Sequence, residues 1–214
     1  MSKISLKHSG GNVVSLNSPT SAPTSADVAF KLPNADGNAG QFMKTDGSGN
    51  LAFASVATPV SPLFTNYAVI NDSKAYNVAG GTFSSGAWRT RDLNTEVFDP
   101  DSIVSISSNQ FTLQAGTYYI RAQAPAYRVD QHHIKLQNIT DSTTDGVGSV
   151  GMSSSSFASI TLSLLTTRFT ISSAKVFEIQ HRCSTTHNTY GLGIMHSISG
   201  TNSIYTIVEI FKES

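Results

Sequence analysis

Residues 88–125 read WRTRDLNTEVFDPDSIVSISSNQFTLQAGTYYIRAQAP, and their apolar side chains fall at every second position. Val104 and Ile106 alternate with Ser105 and Ser107. After a break at Asn109-Gln110, Phe111 and Leu113 alternate with Thr112 and Gln114. Ala115-Gly116 makes a turn, and Tyr118, Ile120, Ala122 and Ala124 then hold alternate places. A period of two sends one side of each strand to a core and the other to solvent or a partner. Short runs of this kind between turn residues predict antiparallel strands, with no helical repeat among them.

The rest of the composition agrees. Charged residues are 13% of the chain, about half the usual share of a soluble domain. Ser, Thr and Asn take their place, and these suit turns and strand exteriors better than helix interiors. Net charge is zero and the cations are scattered singly, so no basic stripe is present to neutralise a row of phosphates and no nucleic-acid partner is expected. The opening MSKISLKHSGGNVV has no continuous apolar run, and no later segment has the length of a membrane span. Neither a secretory signal nor membrane insertion is expected. Cys183 is the single cysteine, which excludes an internal disulfide framework.

Two regions differ in chemistry. Residues 1–58 hold few large apolar side chains and many Gly, Ser, Asn, Thr and Pro. Residues 13–16 and 28–32 are strand-sized but bounded by breakers such as Gly10-Gly11, Pro19, Pro23 and Pro33. Gln41-Phe42-Met43-Lys44 and Leu51-Ala52-Phe53-Ala54 flank DGSGN and predict one small hairpin. Such a region buries too little surface to fold alone and is expected to be an extended arm, either flexible or ordered by lying along other protein chains. Fully extended it would reach about 190 Å at ~3.3 Å per residue.

Residues 59–66 read as a short linker or as the entry to the folded domain, and residues 59–214 are expected to be one domain. Strands are predicted near 67–71, 86–92, 103–107, 109–113, 117–127, 131–139, 147–152, 157–171, 175–184 and 204–212. That number and spacing suit a two-sheet sandwich of the jelly-roll kind. A parity change between Leu164 and Phe169 predicts a bulge or a sheet-switching bend in the run 157–171. The final strand ISIYTIVEIFK is apolar on both sides: Ile204, Val208 and Ile210 with Thr206 on one, Tyr205, Ile207 and Phe211 around Glu209 on the other. A strand with two apolar faces needs a second layer or another subunit.

FTLQAGTYYIRAQAP (111–125) resembles a strand pair of the complement-C1q-like and tumour-necrosis-factor-like jelly rolls, and IVEIFK resembles their last strand. The longer block RDLNTEVFDPDSIVSISSNQFTLQAGTYYI is similar to a module at the ends of fibres and appendages of tailed bacteriophages. LPNADGNAGQFMKTDGSGNLAFA (32–54) is similar to a segment of phage tail-fibre and virion proteins. The resemblance implies a homotrimer with one sheet facing the three-fold axis. Tyr205, Ile207 and Phe211 are the expected interface, joined by Tyr119, Arg121, Gln123 and Tyr127 on the outward parity of 117–127. The collagen repeat of animal C1q chains is missing here, so residues 1–58 are left to attach the protein to other virion proteins. The resemblance also implies a virion location, reached after assembly in the bacterial cytoplasm.

Other residues carry weaker chemistry. His132 and His133 are adjacent and point to opposite faces of a strand, so they do not share an ion within one chain. His181 and Cys183 share a face with Phe177 and Ile179, which favours a buried structural pair over a metal site. No Gly-x-Ser-x-Gly elbow is present, and no enzyme activity, metal or cofactor is expected. DGSGN lacks the Gly and Glu of a calcium loop and reads as a plain turn. Asn138-Ile139-Thr140 is a sequon without a secretory context. Trp88 has two readings, stacking on a sugar and packing at a sheet edge. The Gly-rich loop 183–196 exposes His187 and Tyr190, which with Trp88 are the candidates for surface recognition. The expected role is a short fibre or appendage knob that adsorbs to a host-surface glycan or protein. A capsid decoration protein and a free C1q-like lectin are the alternatives.

Overall fold

The computed structural model describes residues 3–17, 20–21, 30–56 and 63–213. Val28, Ala29, Pro19, Pro23 and linker residues 59–62, to which expectations attach, lie outside them. The chain divides into two compact units, Met1–Val60 and Ser61–Ser214.

In the first unit, β1 (Lys3–Lys7) pairs with β2 (Val13–Asn17) and β3 (Gln41–Thr45) with β4 (Leu51–Ser55), both antiparallel. The second pair is the expected hairpin. Its DGSGN turn places Gly47 and Gly49 at φ 84° and 86°, a region closed to most side chains. Asp46 Oδ1 accepts the amides of Ser48 and Asn50 at 2.8 and 3.2 Å, and Oδ2 accepts Asn50 Nδ2 at 2.6 Å. The turn therefore consumes the Asp46 carboxylate. The expected strand at 28–32 does not form over its described part: Lys31 makes one parallel bridge to Asn50, with Phe30 and Leu32 exposed beside it. Strand β2 matches the strand-sized run at 13–16. Its partner β1 was not anticipated, because Ile4 and Leu6 alternate over only five residues and both stay exposed.

The second unit contains β5 (Phe64–Lys74), β6 (Arg89–Thr90), β7 (Thr95–Phe98), β8 (Val104–Ser107), β9 (Gln110–Leu113) and β10 (Gly116–Tyr127). It continues with β11 (Asp130–Asn138), β12 (Thr143–Val147), β13 (Gly151–Ser153), β14 (Ile160–Ile171), β15 (Lys175–Cys183) and β16 (Ser203–Glu213). No helix occurs among the described residues. One sheet has the order β14-β10-β16-β5-β7. The other runs β12-β11-β15-β9-β8, with β13 on β11 and β6 on β15. The chain crosses between sheets at β5–β6, β6–β7, β7–β8, β9–β10, β10–β11, β13–β14, β14–β15 and β15–β16, and places its last strand between β5 and β10. This is the connectivity of a jelly roll.

The core lies between the sheets. Ile70, Ile120, Val208 and Ile210 from the first meet Phe111, Ile134, Phe177 and Ile179 from the second, all at or near zero exposure. Ser108 and Asn109 turn the β8–β9 hairpin at φ 53° and 65°, matching the break read at Asn109-Gln110. Strand 86–92 shrinks to Arg89–Thr90, and 147–152 resolves into the end of β12 and the start of β13.

The expected bulge in 157–171 is absent. The β10–β14 register is continuous from Gly116↔Ile171 to Tyr127↔Ile160. Ser163, Leu165 and Ile171 point inward, while Ile160, Leu162 and Leu164 point outward and are half exposed. The apparent parity change came from apolar residues on both faces. Bulges occur instead in β16, between Ile204 and Ile207 and between Lys212 and Glu213. The first sets Tyr205 and Thr206 opposite Asp72 alone, so both turn inward, and Tyr205 is 4% exposed. Tyr205 thus leaves the outward face on which Ile207 and Phe211 remain, and its hydroxyl donates to the Val78 carbonyl at 2.7 Å. Ile204, expected in the core, is 44% exposed for the same reason.

Arg91 occupies the centre of this arrangement. It is 1% exposed, and its Nε donates to Thr206 Oγ1 at 2.8 Å, Nη2 to the Leu192 carbonyl at 2.8 Å and Nη1 to the Pro125 carbonyl at 3.4 Å. Its backbone amide donates to Ile179 in β15. Burial lowers its pKa to about 10, against the pull of Asp72 and Asp92, so it stays cationic at neutral pH. Arg91→Met keeps most of the volume but orphans three buried acceptors. A loss of about 3 kcal/mol is expected in urea unfolding, since each orphaned group costs about 1–3 kcal/mol.

Candidate functional site

The outward face of the first sheet carries an aromatic cluster built by cross-strand register. Tyr119 pairs with Phe211 across β10 and β16, and Phe211 with Tyr67 across β16 and β5. The Phe211 ring lies 4.6 Å from Tyr67, 5.3 Å from Phe64 and 5.9 Å from Tyr119, centroid to centroid, and Tyr67 lies 5.9 Å from Phe98. Such pairs contribute about 0.5–1.5 kcal/mol beyond their burial. All of these rings remain partly open to solvent.

Beside the cluster, Arg121 Nη1 meets Glu209 Oε2 at 3.3 Å, and Tyr67 donates to Glu209 Oε1 at 3.2 Å. Burial first, and the Glu209 charge second, raise the Tyr67 pKa. Next to this pair lies a shallow cavity of about 250 Å³, lined by Arg121, Gln123, Leu164, Thr166, Ile207 and Glu209. The apolar row Ile160, Leu162 and Leu164 closes that side of the face. Of the expected interface residues, Ile207, Phe211, Tyr119, Arg121 and Gln123 thus share one surface, and Tyr205 does not. Phe64, Tyr67 and Phe98 carry no sequence signal for this face, because only strand pairing brings them to Phe211. Leu162 and Leu164 are visible in the sequence but suggest a bulge there.

The recognition candidates divide into two groups. His187 and Tyr190 gather with Tyr127, at ring distances of 5.3 Å for Tyr127–His187 and 6.4 Å for Tyr127–Tyr190. Tyr127 therefore belongs with this loop. Trp88 lies on the outward face of the second sheet, edge-on to His133 at 5.0 Å, with Lys135 Nζ 4.7 Å from the ring centroid. No ring contact joins Trp88 to His187 or Tyr190 among the described residues. Trp88 packs on the sheet while part of it stays open, so sugar stacking and edge packing both retain a basis.

His132 and His133 point to opposite faces, as their adjacency requires. His133 reaches Trp88, and His132 turns into the core, where its Nδ1 lies 3.0 Å from His181 Nε2 and its Nε2 lies 2.7 Å from Thr161 Oγ1. His181 and Cys183 are buried, at 0% and 5% exposure. Among the described residues no three His, Cys, Asp or Glu side chains converge to hold a metal. Burial, assisted by Arg91, lowers the His132 pKa from 6.5 to about 4 and pushes His181 well below 6.5. Burial also raises the Cys183 thiol to about 11, which keeps it an unreactive thiol at neutral pH.

No protein-family model and no curated protein matches the chain. Among solved structures it is similar to murine APRIL at pH 5.0, with a TM-score of 0.44 and 8% identity over 68% of this chain and 98% of that one. It is also similar to the globular domain of the zebrafish complement 1qA protein, with a TM-score of 0.40 and 13% identity over 69% and 96%. The jelly-roll assignment rests on the strand order itself.

The neutral histidine pair makes stability depend on pH in a definite window. Unfolded chains protonate these rings near pH 6.5 and the folded chain does not, so the penalty is absent above that value and grows as pH falls. For His132 it stops growing near pH 4. Unfolding free energies from denaturant titration should fall steadily from pH 6.5 to 4, by the order of 3 kcal/mol for His132 alone. A His132→Gln/His181→Gln variant should lose that slope.

Proposed function

We propose that this protein is a homotrimeric structural protein of a tailed bacteriophage virion, a short appendage knob that aids adsorption to the host surface. The carrying observation is the outward face of the first sheet, where aromatic and aliphatic side chains stand partly open beside an Arg121–Glu209 pair. The occupant we assign to that face is further copies of the same chain. Each copy would bring both Arg121 and Glu209, so the face is complementary to itself around a closed axis. The exposed ion pair is worth about 1 kcal/mol or less within one chain; between copies its attraction strengthens against a desolvation cost, so it sets register and specificity more than affinity.

The virion assignment is supported by the resemblance of residues 91–120 and 32–54 to phage appendage and virion segments. A first unit with exposed Ile4, Leu6, Phe30 and Leu32 suits an arm that acquires its cover on the particle. Trimerisation would present three recognition surfaces together, so that weak single-site affinity suffices.

Gold-labelled antibody on purified virions should decorate the tail or neck, and added protein should slow phage adsorption in proportion to its concentration. Label spread over the capsid would favour a decoration role instead. A Tyr119→Asp/Phe211→Asp variant should retain its β-sheet spectrum yet lose most of its competing power, because multivalency contributes about 10²-fold or more in avidity.

A further inference from the structure

We infer that the outward face of the second sheet holds a binding site for an anionic saccharide, one bearing a carboxylate, centred on Arg182 and His133. A cleft of about 520 Å³ opens there, lined by Ser85, Gly86, Gln131, His133, Arg182 and Ser184. Its volume falls in the range of small-ligand sites. The inference rests on reading the sandwich as a recognition module, and it names the ligand class that reading leaves open.

Arg182 is the deciding residue. The other arginines each have an acceptor within the chain: Arg89 on the Ser84 carbonyl, Arg91 on Thr206, Arg121 on Glu209, Arg128 on the Ser155 carbonyl and Arg168 on Glu213. The Arg182 side chain has no hydrogen bond or ion pair among the described residues, and register places it directly across from His133. The acids on the flanking strands are already engaged. Asp130 accepts from Thr185 and Ser155, and Glu178 accepts from Thr90, Gln110 and Gln180. The cleft thus presents a free guanidinium fork, and a fork of that shape fits a carboxylate through two parallel hydrogen bonds.

The remaining lining selects a sugar over a bare anion. His133 and Gln131 have unengaged side-chain nitrogens and oxygens among the described residues, and these suit hydroxyls. Gly86 has φ 88° and open space where a Cβ would stand, so the backbone itself can approach a ligand. Trp88 abuts the cleft through His133. The exposed part of the indole suits the C–H side of a pyranose ring, while Lys135 Nζ, 4.7 Å from the ring centroid, already holds one of its faces.

Trp88 is the only tryptophan in the chain, so tryptophan emission reports on this one ring, which touches the cleft residue His133. Titration of the full-length protein with sialyllactose should change that emission saturably. Lactose, which lacks the carboxylate, should bind at least about tenfold more weakly. Arg182→Ala should weaken sialyllactose by about tenfold or more and leave thermal stability unchanged, because Arg182 is exposed and unpaired. Trp88→Ala, followed by saturation-transfer NMR of the sugar, should weaken both sugars. Equal binding of the two sugars, unaltered binding by Arg182→Ala, or sodium sulfate matching sialyllactose would overturn the inference. A dissociated Phe211→Asp variant should keep the same affinity per chain for the soluble sugar. A wild-type protein that is monomeric yet binds sialyllactose therefore sinks only the assembly reading, and loss of binding when Phe211→Asp dissociates the trimer sinks the single-chain site.

Discussion

The guanidinium of Arg91 is the constraint on which the rest of the sandwich depends. A cation this deeply buried is tolerated only when its donors are satisfied, and the acceptors come from three separate places: β16 at its bulge, β10 at Pro125 and the long loop at Leu192. Satisfying Arg91 thereby fixes where the loop 184–202 returns to the sandwich. It also requires Thr206 to face inward, which the β16 bulge provides by turning two successive residues to the core. That bulge sets the parity of Ile207, Glu209 and Phe211 and so decides which side chains reach the outer surface. The same charge presses on His132 and His181 and helps keep them neutral. One buried charge thus links core, loop and surface.

The two sheets present different chemistry outward. The first offers tilted, mutually packed rings, aliphatic side chains and a self-complementary ion pair, a composition suited to association between like subunits. The second offers hydroxyls, amides, an unpaired guanidinium and a single indole, a composition suited to a small polar ligand. A trimer built on the first sheet would turn the second sheet of every copy outward. Assembly and recognition would then use opposite faces of one sandwich and would not compete.

Much of this was legible in the chain. Alternation over 103–124 defined β8, β9 and β10 to within a residue or two, and the two-sided final strand identified the sheet with the open apolar face. The differences have two physical origins, strands that are apolar on both faces and contacts between residues far apart in the chain. Period-two reading assumes one apolar side per strand, so outward Leu162 and Leu164 looked like a bulge in β14, where none exists. The bulge that does exist in β16 has no local cause in the sequence. It accommodates Thr206 beneath Arg91, a contact spanning more than a hundred residues of chain. Tyr205 was misplaced for that reason. The His132–His181 contact was equally hidden, since the two rings meet only through the pairing of β11 with β15, and so was the Tyr67–Phe211 ring contact. Arg182 carries no sequence signal at all, and it stands out only when every other arginine has been traced to an acceptor.

The central claim is that the open face of the first sheet joins copies of this chain. Sedimentation equilibrium of the purified full-length protein tests it most directly. The account predicts a single species at three times the 22.8 kDa chain mass, shifting toward the chain mass when Phe211 is replaced by Asp. A wild-type protein that sediments at 22.8 kDa across micromolar concentrations would contradict it.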